Sequence, residues 1–385
     1  MYRASHFPST GAGLRNDDTG YDQHFARLEA ELMEFGISCS KIDEVGLVAH
    51  AENLGYNFCW TTDSPMLRSN PWAILALAAQ ATQSIRLGVG VAVPGLRIAP
   101  DTANGIATIN RLAPGRTFLG VGTGNTAMRT LGRKPVRIKA FAEYLRVLRA
   151  LLDGEEVTYA CEDGAHPIRF QNLEYRNVDI DNHIPIHVGG FGPRSQGLAG
   201  EIGDGLITGI PRGGLIPDAL TNVQRGAERI GRSLPGDFHT CALVNVMLLE
   251  PGETFNSKRV IAECGPAIMA NVHYLVDLVR DTGKEPPSYV QSIWEDYQVF
   301  HQARDAARAH QQLHGSHYSH LDEDEARFVT PEVIKGFCLA GQPDDVIGQL
   351  HELESQGLNA MAFIPPHSRR YVQYEDFARR VIANM

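Results

Sequence analysis

The sequence predicts an α/β fold, a (β/α)8 barrel of the TIM type with insertions. Short apolar segments typical of buried strands alternate with segments of helical periodicity, the pattern of a parallel sheet with right-handed crossovers. Eight such units fit within the 385 residues of the chain, which agrees better with a closed barrel than with an open doubly wound sheet. Several predicted strands end in glycine and polar residues, where a barrel carries its active site.

The elements follow one another in a regular order. The predicted strands are residues 31–38, 58–62, 85–93, 117–122, 184–190, 205–208, 240–250 and 360–364. The predicted helices are residues 44–54, 71–81, 100–112, 136–152, 194–202, 217–230, at least one within 257–309, 343–356 and 374–383. We expect a single domain over residues 1–385, with an N-terminal arm at 1–30 and insertions at 159–183 and 265–330. Insertions in a barrel usually lie on the catalytic face and cover the substrate.

Composition makes small-molecule chemistry the default function. The net charge of −10 and the pI of about 5.8 oppose nonspecific binding to nucleic acid or to an anionic membrane. No apolar run approaches the roughly 18 residues of a membrane span, and the first ten residues lack a signal-peptide core. We therefore expect a cytoplasmic protein. The six cysteines are scattered without a C-x-x-C pair, as in reduced intracellular proteins.

The segment FLGVGTGNT, residues 118–126, is the most informative motif. Bare glycine backbone at the end of a strand, beside hydroxyl and amide side chains, can form the floor under a phosphate or a planar ring. Gly122, Gly124 and Ala127 also satisfy a dinucleotide-binding fingerprint, but that fold needs an acidic residue at a strand end about 20 positions later. Glu143 lies near that distance inside a predicted helix, so this interpretation is weaker. A turn that only lets strand and helix pack is the third alternative.

Three other strand ends carry candidate site residues. Asp63 follows an apolar strand, where it can act in proton transfer or accept a hydrogen bond from a ring N–H, or instead cap the next loop. Gly88 and Gly90 interrupt a strand and indicate a bulge or a close backbone approach by a ligand. Segments 184–194 and 204–210 form the third end. There Gly189, Gly190 and Gly192 are expected to leave amide groups open before a helix, a potential anion site, and Thr208 and Gly209 close the neighbouring strand.

The histidines at 310, 314, 317 and 320 favour a solvated loop or lid over a metal site, so no metal is predicted. His187 alternates with apolar residues on a strand and is better explained as a core histidine. The sequence contains no G-x-S-x-G, H-E-x-x-H or Walker A motif, which disfavours serine hydrolases, zinc proteases and P-loop enzymes.

Five segments, in order, carry a resemblance to a known family. They are AENLGYNFCWTTD (51–63), ATQSIRLGVGVAVPGLRIAP (81–100), LAPGRTFLGVGTGN (112–125), IPIHVGGFGPRSQGLAGEIGDGLITG (184–209) and AGQPDDVIGQLHELESQGLNAMAF (340–363). Together they resemble the luciferase-like monooxygenase superfamily, flavin- and coenzyme-F420-dependent oxidoreductases built on a TIM barrel. Residues 123–135, TGNTAMRTLGRKP, look most like the methylenetetrahydromethanopterin reductase branch, which uses F420.

The resemblance implies a position for the cofactor. Its ring would lie against Asp63, Gly90, Val91 and the turn of Gly122, Thr123, Gly124 and Asn125. Its phosphate would lie near Gly189, Gly190, Phe191, Gly192, Thr208 and Gly209. The resemblance also suggests a non-proline cis peptide between Gly90 and Val91, and a homodimer.

The sequence departs from the family at one position that bears on the cofactor. Many F420-dependent members have Asp-His where this chain has Asp63 and Ser64, so the histidine beside the reactive ring carbon is missing. We therefore expect a two-component monooxygenase that uses reduced FMN, supplied by a separate flavin reductase, and O2 to oxygenate a small organic substrate. Asp63 is the expected catalytic residue. The alternatives are F420-dependent hydride transfer and a non-catalytic flavin-binding barrel.

Overall fold

A computed structural model describes residues 33–385. The predicted arm at 1–30 and the first two residues of the first predicted strand lie outside the described residues.

The helices and strands, numbered in chain order, are given first for the amino-terminal half. They are β1 (Glu34–Cys39), α1 (Gly46–Asn53), β2 (Phe58–Thr61), α2 (Pro71–Ala81), β3 (Arg86–Ala92), α3 (Ala99–Leu112), β4 (Thr117–Val121), α4 (Asn125–Arg129), α5 (Ile138–Leu152), β5 (Val157–Cys161) and β6 (Gly164–Ile168). The remaining elements are β7 (Ile186–Gly189), α6 (Pro193–Ile202), β8 (Gly205–Gly209), α7 (Ile216–Arg229), β9 (His239–Leu243), β10 (Asn245–Leu248), α8 (Lys258–Thr282), α9 (Gln291–Gln302), α10 (Ala309–His314), α11 (Pro331–Phe337), β11 (Cys338–Gly341), α12 (Pro343–Ser355), β12 (Ala360–Ala362) and α13 (Arg370–Arg380).

Eight parallel strands close into a barrel in the order β1-β12-β9-β8-β7-β4-β3-β2. These strands correspond to the eight predicted ones, so the prediction of a TIM barrel is confirmed. The reason is local: each strand is a short apolar run between turn residues, and each following helix has one apolar face. Helix α2 shows how the sequence encodes the start of a helix. The side chain of Asn70 accepts hydrogen bonds from the amides of Trp72 and Ala73, and Pro71 occupies the first turn.

Aromatic rings fill the inside of the barrel. Phe58, Trp60 and Phe118 form the centre of this interior cluster. Glycine is required opposite them, because a Cβ on Gly36 would lie 2.1 Å from the Phe58 ring and a Cβ on Gly88 would lie 2.4 Å from the Phe118 ring. A larger apolar layer fills the space between the strands and the surrounding helices.

The predicted strand 240–250 is wrong as a single element. Strand β9 pairs in the barrel, whereas β10 pairs in parallel with β11 in a separate two-stranded sheet. The chain leaves the barrel at Val244, whose amide donates to the carbonyl oxygen of Ala362 at 2.9 Å, and the Asn245 side chain then donates to Phe337. An unbroken apolar run cannot reveal this exchange of partners.

The two predicted insertions lie at different ends of the barrel, so the expectation that they cover the catalytic face is wrong for residues 159–183. Residues 159–183 include most of the β5–β6 hairpin and connect the end of α5 to the start of β7, at the amino-terminal end of the strands. Residues 265–330 belong to a longer segment after β10 that contains α8, α9 and α10 and has an apolar core of its own. That segment follows a strand and lies at the carboxyl end. The prediction of one domain over residues 1–385 stays a prediction. Among residues 33–385, no helix combines the length and apolar character that a membrane crossing requires.

Candidate functional site

A cavity opens at the carboxyl ends of the barrel strands, and each of the eight strands, or the loop directly after it, contributes to its wall. The lining residues from the strands and the loops directly after them are Ser38, Ser40, Thr62, Asp63, Ser64, Arg68, Gly90, Val91, Val93, Gly124, Asn125, Thr126, Ala127, Phe191, Arg212, Leu243 and Ile364. The cover comes from the segment after β10, through Tyr274, His317 and Tyr318. Of the predicted site residues, this cavity brings together Asp63, Gly90, Val91, Gly124, Asn125 and Phe191.

Asp63 is the buried acid of the cavity. Its side chain is 1% exposed, and Oδ2 accepts a hydrogen bond from Arg97 Nη1 at 2.5 Å. Its other oxygen, Oδ1, is buried without a hydrogen-bond partner among the described residues. A buried carboxylate oxygen without a donor is costly in an apolar surrounding. Oδ1 is therefore an acceptor available to a ligand.

Other buried polar atoms of the cavity wall also lack partners in the described part of the chain. They are Ser38 Oγ, Thr62 Oγ1, Asn125 Nδ2 and, from the cover, His317 Nδ1. With Asp63 Oδ1, they provide donors and acceptors around an otherwise apolar space that includes Val91 and Leu243. This donor and acceptor set fits the edge of a flat heteroaromatic ring that carries carbonyl oxygens and ring nitrogens, as flavins and deazaflavins do.

The backbone of two strand ends forms the inner wall. The peptide between Gly90 and Val91 is cis, which confirms that expectation. A Cβ on Gly122 would lie 2.7 Å from Val91 Cγ2, so only glycine lets β4 approach this bulge. Gly124 has φ of 76°, where glycine is strongly preferred, and directs Asn125 to the cavity wall. Thr123 lies in the same turn, and its carbonyl oxygen accepts from the amide of Val136 at 3.0 Å.

The strand ends at Gly189 and Gly209 lie behind the cavity wall. A Cβ on Gly189 would lie 3.2 Å from Gly122 Cα, and a Cβ on Gly209 would lie 2.6 Å from Phe191 Cε1. The expectation of an open amide at Gly190 is wrong, because this N–H donates to the carbonyl oxygen of Ile207 at 2.9 Å. The amide of Gly190 is used in pairing with the neighbouring parallel strand β8, which the sequence alone does not reveal.

Gly192 and Thr208, in the same region, leave hydrogen-bonding groups without partners among the described residues. Gly192 precedes α6 with open space where a Cβ would stand, and no side chain caps the helix. Thr208 Oγ1 is buried without a partner among residues 33–385, close to Gly213, where a Cβ would lie 1.9 Å from that oxygen. These two residues do not line the cavity at the carboxyl ends of the strands.

The histidine-rich segment was expected to be a solvated loop or lid; two of its histidines are not solvated, and His317 belongs to the cover of the cavity. His314 is 1% exposed at its side chain, and its Nε2 lies 2.9 Å from Asp277 Oδ2. His317 lines the cavity, and burial lowers its pKa well below the usual value. A histidine is therefore present in the cavity, although it comes from the cover and not from the position after Asp63. His320 agrees with the expectation, since its exposed side chain pairs with Asp322.

His187 is a core histidine, as expected. Its ring stacks between Phe118 and His239, with centroid distances of 5.3 Å and 4.9 Å. Burial lowers the pKa of His187 well below its usual value, and the repulsion of His239 and Arg86 acts in the same direction. The neutral imidazole is thus the form that the barrel interior holds.

Sequence reasoning missed the arginines of the site. Arg97 holds Asp63, and Arg68 and Arg212 line the cavity. All three follow barrel strands within a few residues, which is a weak signal because most loops contain charged residues. Only their side-chain directions distinguish them from the arginines of the surface.

The fold and the site define a class of protein: a barrel enzyme with a buried acid, a glycine-lined wall and a covered cavity at the carboxyl ends of its strands. A model of the luciferase-like monooxygenase family matches residues 38–360, and the chain belongs to this family. It is an oxidoreductase of the luciferase-like type.

Curated relatives give a narrower comparison. A 5,10-methylenetetrahydromethanopterin reductase of Archaeoglobus fulgidus is 27% identical over 336 residues, which covers 84% of this chain and 90% of that protein. An F420-dependent hydroxymycolic acid dehydrogenase of Mycobacterium tuberculosis is 35% identical over 177 residues, covering 42% of this chain and 48% of that protein.

Solved structures agree on the fold. The coenzyme F420-dependent tetrahydromethanopterin reductase of Methanopyrus kandleri superposes with a TM-score of 0.65 at 22% identity, covering 92% of this chain and 99% of that one. The oxygenating constituent of 3,6-diketocamphane monooxygenase from Pseudomonas putida, in complex with FMN, superposes with a TM-score of 0.59 at 15% identity, covering 92% and 99% of the two chains. One barrel architecture thus occurs with both cofactors.

Proposed function

We propose that this protein is an F420-dependent oxidoreductase that transfers a hydride between the deazaflavin and a small organic substrate. The similarity to the Archaeoglobus reductase over 84% of the chain carries this choice, with support from the F420-dependent mycobacterial dehydrogenase. The monooxygenase that we expected from the sequence is not confirmed. The F420 alternative has the better support because the curated relatives with substantial identity belong to the reductase and dehydrogenase group.

The donors and acceptors of the cavity wall suit the polar edge of either ring, so they do not choose between the two cofactors. The unpartnered atoms Asp63 Oδ1, Thr62 Oγ1 and Asn125 Nδ2 would bind the polar edge of the ring. The bulge at Gly90 and Val91 and the turn from Gly122 to Asn125 would support its face. When bound, F420 supplies two-electron hydride chemistry.

The phosphate of the cofactor would lie at the strand ends around Gly189, Gly190, Thr208 and Gly209. Support comes from the unpartnered Thr208 Oγ1 and from the uncapped first turn of α6, which begins after Gly192. Helix amino termini favour negative charge, because their amide groups and dipole point toward the ligand.

Asp63 is the residue that would handle a proton in this site. Arg97 fixes one carboxylate oxygen, which leaves Oδ1 as the atom that accepts a proton or a hydrogen bond. The segment with Tyr274, His317 and Tyr318 covers the cavity and would exclude water during transfer. The chain's own contribution is thus orientation, desolvation and proton handling.

The FMN-dependent monooxygenase remains the second candidate because of Ser64. The residue after Asp63 is part of the cavity wall, and it is a serine where many F420-dependent members carry histidine. Under this alternative, a separate flavin reductase would supply the reduced cofactor.

A titration of the purified full-length protein decides between the two. FMN and F420, each oxidised and reduced under anaerobic conditions, are added while ring fluorescence or absorbance is followed. We expect tighter binding of F420 than of FMN. Preference for reduced FMN, followed by oxygen uptake, would establish the monooxygenase instead. Binding of neither cofactor would contradict the site as a whole.

A pair of glycine variants tests whether binding occurs in this cavity. Gly122→Ala places a methyl group 2.7 Å from Val91 and should weaken binding of the preferred cofactor. Gly348→Ala, on the open face of α12, has nothing within 4 Å and should leave binding unchanged. Equal affinity of both variants would place the cofactor elsewhere.

A further inference from the structure

Two arginines in the cavity wall have no carboxylate within ion-pair distance among residues 33–385. Arg68 follows β2 and Arg212 follows β8, and both are half-buried. A third arginine of the region, Arg97, does have a carboxylate partner, because its Nη1 lies 2.5 Å from Asp63 Oδ2. A guanidinium removed from water without an anion is unusual, since buried charges are normally paired.

Arg212 is held in place by aromatic rings. Its guanidinium carbon lies 4.9 Å from the ring centre of Phe191 and 5.0 Å from that of Tyr274. None of its five N–H donors bonds to a described residue. The rings therefore fix the side chain by cation–π contact and leave its hydrogen-bonding edge free.

Arg68 is fixed by polar contacts with its own loop and with the cover. Nη1 donates to Ser319 Oγ at 2.8 Å and to the Leu67 carbonyl oxygen at 3.2 Å, and Nη2 donates to the His317 carbonyl oxygen. Burial lowers the pKa of Arg68 to about 10, so the guanidinium is charged at neutral pH. Its Nε has no acceptor in the described part of the chain.

The two guanidiniums make the cavity positive in a chain whose net charge is −10. The only carboxylate in the cavity wall, as far as residues 33–385 show, belongs to Asp63, and Arg97 neutralises it. Both Arg68 and Arg212 act on His317: after burial and the repulsion of His314, they lower its pKa further. The two cations therefore converge on the same part of the cavity.

We propose that Arg68 and Arg212 form an anion-binding site for a carboxylate or phosphate group of the substrate. The inference rests on the proposed function, because it names the substrate class of that same cavity. An arginine with a free edge binds planar carboxylate and phosphate groups through paired hydrogen bonds. The apolar wall from Phe191, Leu243 and Ile364 suits an apolar body attached to that anionic group.

The contacts of both arginines with the cover favour the substrate over the cofactor phosphate as the ligand of this site. Arg68 contacts His317 and Ser319, and Arg212 stacks on Tyr274, all residues of the cover. Arg212 also stacks on Phe191, which lies next to Gly209 and the strand ends proposed for the cofactor phosphate, so the test below separates the two ligands. Covering segments at the mouth of a barrel contact the substrate most directly.

Calorimetric titration with benzoate and its uncharged isostere benzamide tests this inference on the full-length protein, with and without F420. Inorganic phosphate serves as the second anionic probe. We expect the wild type to bind benzoate about ten-fold or more tightly than benzamide, as a charged hydrogen bond supplies. Arg212→Met should abolish this preference, and Arg212→Lys should keep part of it. Arg225→Met, an exposed arginine of α7, is the matched control and should behave like the wild type.

Each contrary result has a distinct meaning. Equal affinity for benzoate and benzamide in the wild type overturns the anion site, as does an unchanged preference in both Arg212→Met and Arg68→Met. Loss of F420 affinity in Arg212→Met with intact benzoate preference assigns the guanidinium to the cofactor phosphate and also overturns the inference. If F420 fails to bind the wild type while benzoate is preferred, the anion site stands and the proposed function fails.

Discussion

Asp63 and Arg97 form an ion pair at the wall of the cavity in which only one carboxylate oxygen is used. Arg97 Nη1 lies 2.5 Å from Oδ2, while Oδ1 is buried and has no partner in the described part of the chain. The pair comes from the ends of two neighbouring strands, β2 and β3. It holds the acid in one orientation and leaves an acceptor for a ligand.

The first prediction concerns the chemistry of Asp63. Asp63→Asn and Asp63→Ala should lower kcat/KM by about 100-fold or more, because a group that handles a proton contributes on that scale. Stability is compared in Asp63→Asn, which keeps the side-chain volume and an oxygen that can accept from Arg97, so its free energy of unfolding should fall by less than that of a variant that breaks the pair. Steady-state kinetics and urea unfolding measure both quantities. Activity equal to that of the wild type would remove Asp63 from the mechanism.

The second prediction concerns the stability of the same pair. Arg97→Met should lower the free energy of unfolding by about 3 kcal/mol, because it leaves the Asp63 carboxylate buried without a cation. The control is Arg379→Met, which removes an exposed partner of Asp376 at 2.6 Å and should cost less than about 1 kcal/mol. Similar losses in the two variants would mean that burial does not govern the strength of the Asp63 pair.

The third prediction concerns pH. Burial lowers the pKa of His187 and of His317 well below the usual value, and that of His367 to about 4. The unfolded chain therefore binds protons below about pH 6.5 that the native state does not bind, so stability falls as the pH drops through this range toward the folded pKa values. Each such histidine contributes up to about 1.4 kcal/mol per pH unit.

The variant His187→Gln tests the third prediction. Urea unfolding between about pH 7 and about pH 5 should show a shallower loss of stability than in the wild type. His320→Gln, at an exposed position, should leave the slope unchanged. An unaltered slope in His187→Gln would contradict the assignment of this histidine to acid sensitivity.

The fourth prediction concerns the contact between α6 and α7. A Cβ on Gly200 would lie 1.9 Å from the carbonyl oxygen of Val223, so Gly200→Ala must separate the helices and should cost about 1–3 kcal/mol. Gly348→Ala, with open space around it in α12, should instead stabilise by about 0.5–1 kcal/mol. Thermal unfolding compares the two variants, and a stabilising Gly200→Ala would refute the close approach.

Much of the fold followed from local patterns. Helix α2 was predicted from Pro71 to Ala81 and has those bounds, because its start is encoded by Asn70 and Pro71 and its apolar residues recur with helical spacing. The failures occurred where pairing is not local. Strands β10 and β11 lie about 90 residues apart in the chain, as in the Asn245 to Phe337 hydrogen bond, and periodicity carries no information about such partners.

In the candidate site, too, the locally determined features were predictable and the long-range contacts were not. The sequence by itself determined the barrel, the carboxyl-end location of the site, and backbone features such as the Gly90–Val91 bulge, because these depend on short segments whose conformation is restricted locally. Only the tertiary structure decided which charged groups meet there. Arg68 and Ser319 are 251 positions apart, and their contact exists because the segment after β10 folds back over the barrel mouth. A side chain's direction and its desolvation depend on such packing, which no neighbouring residue in the sequence records.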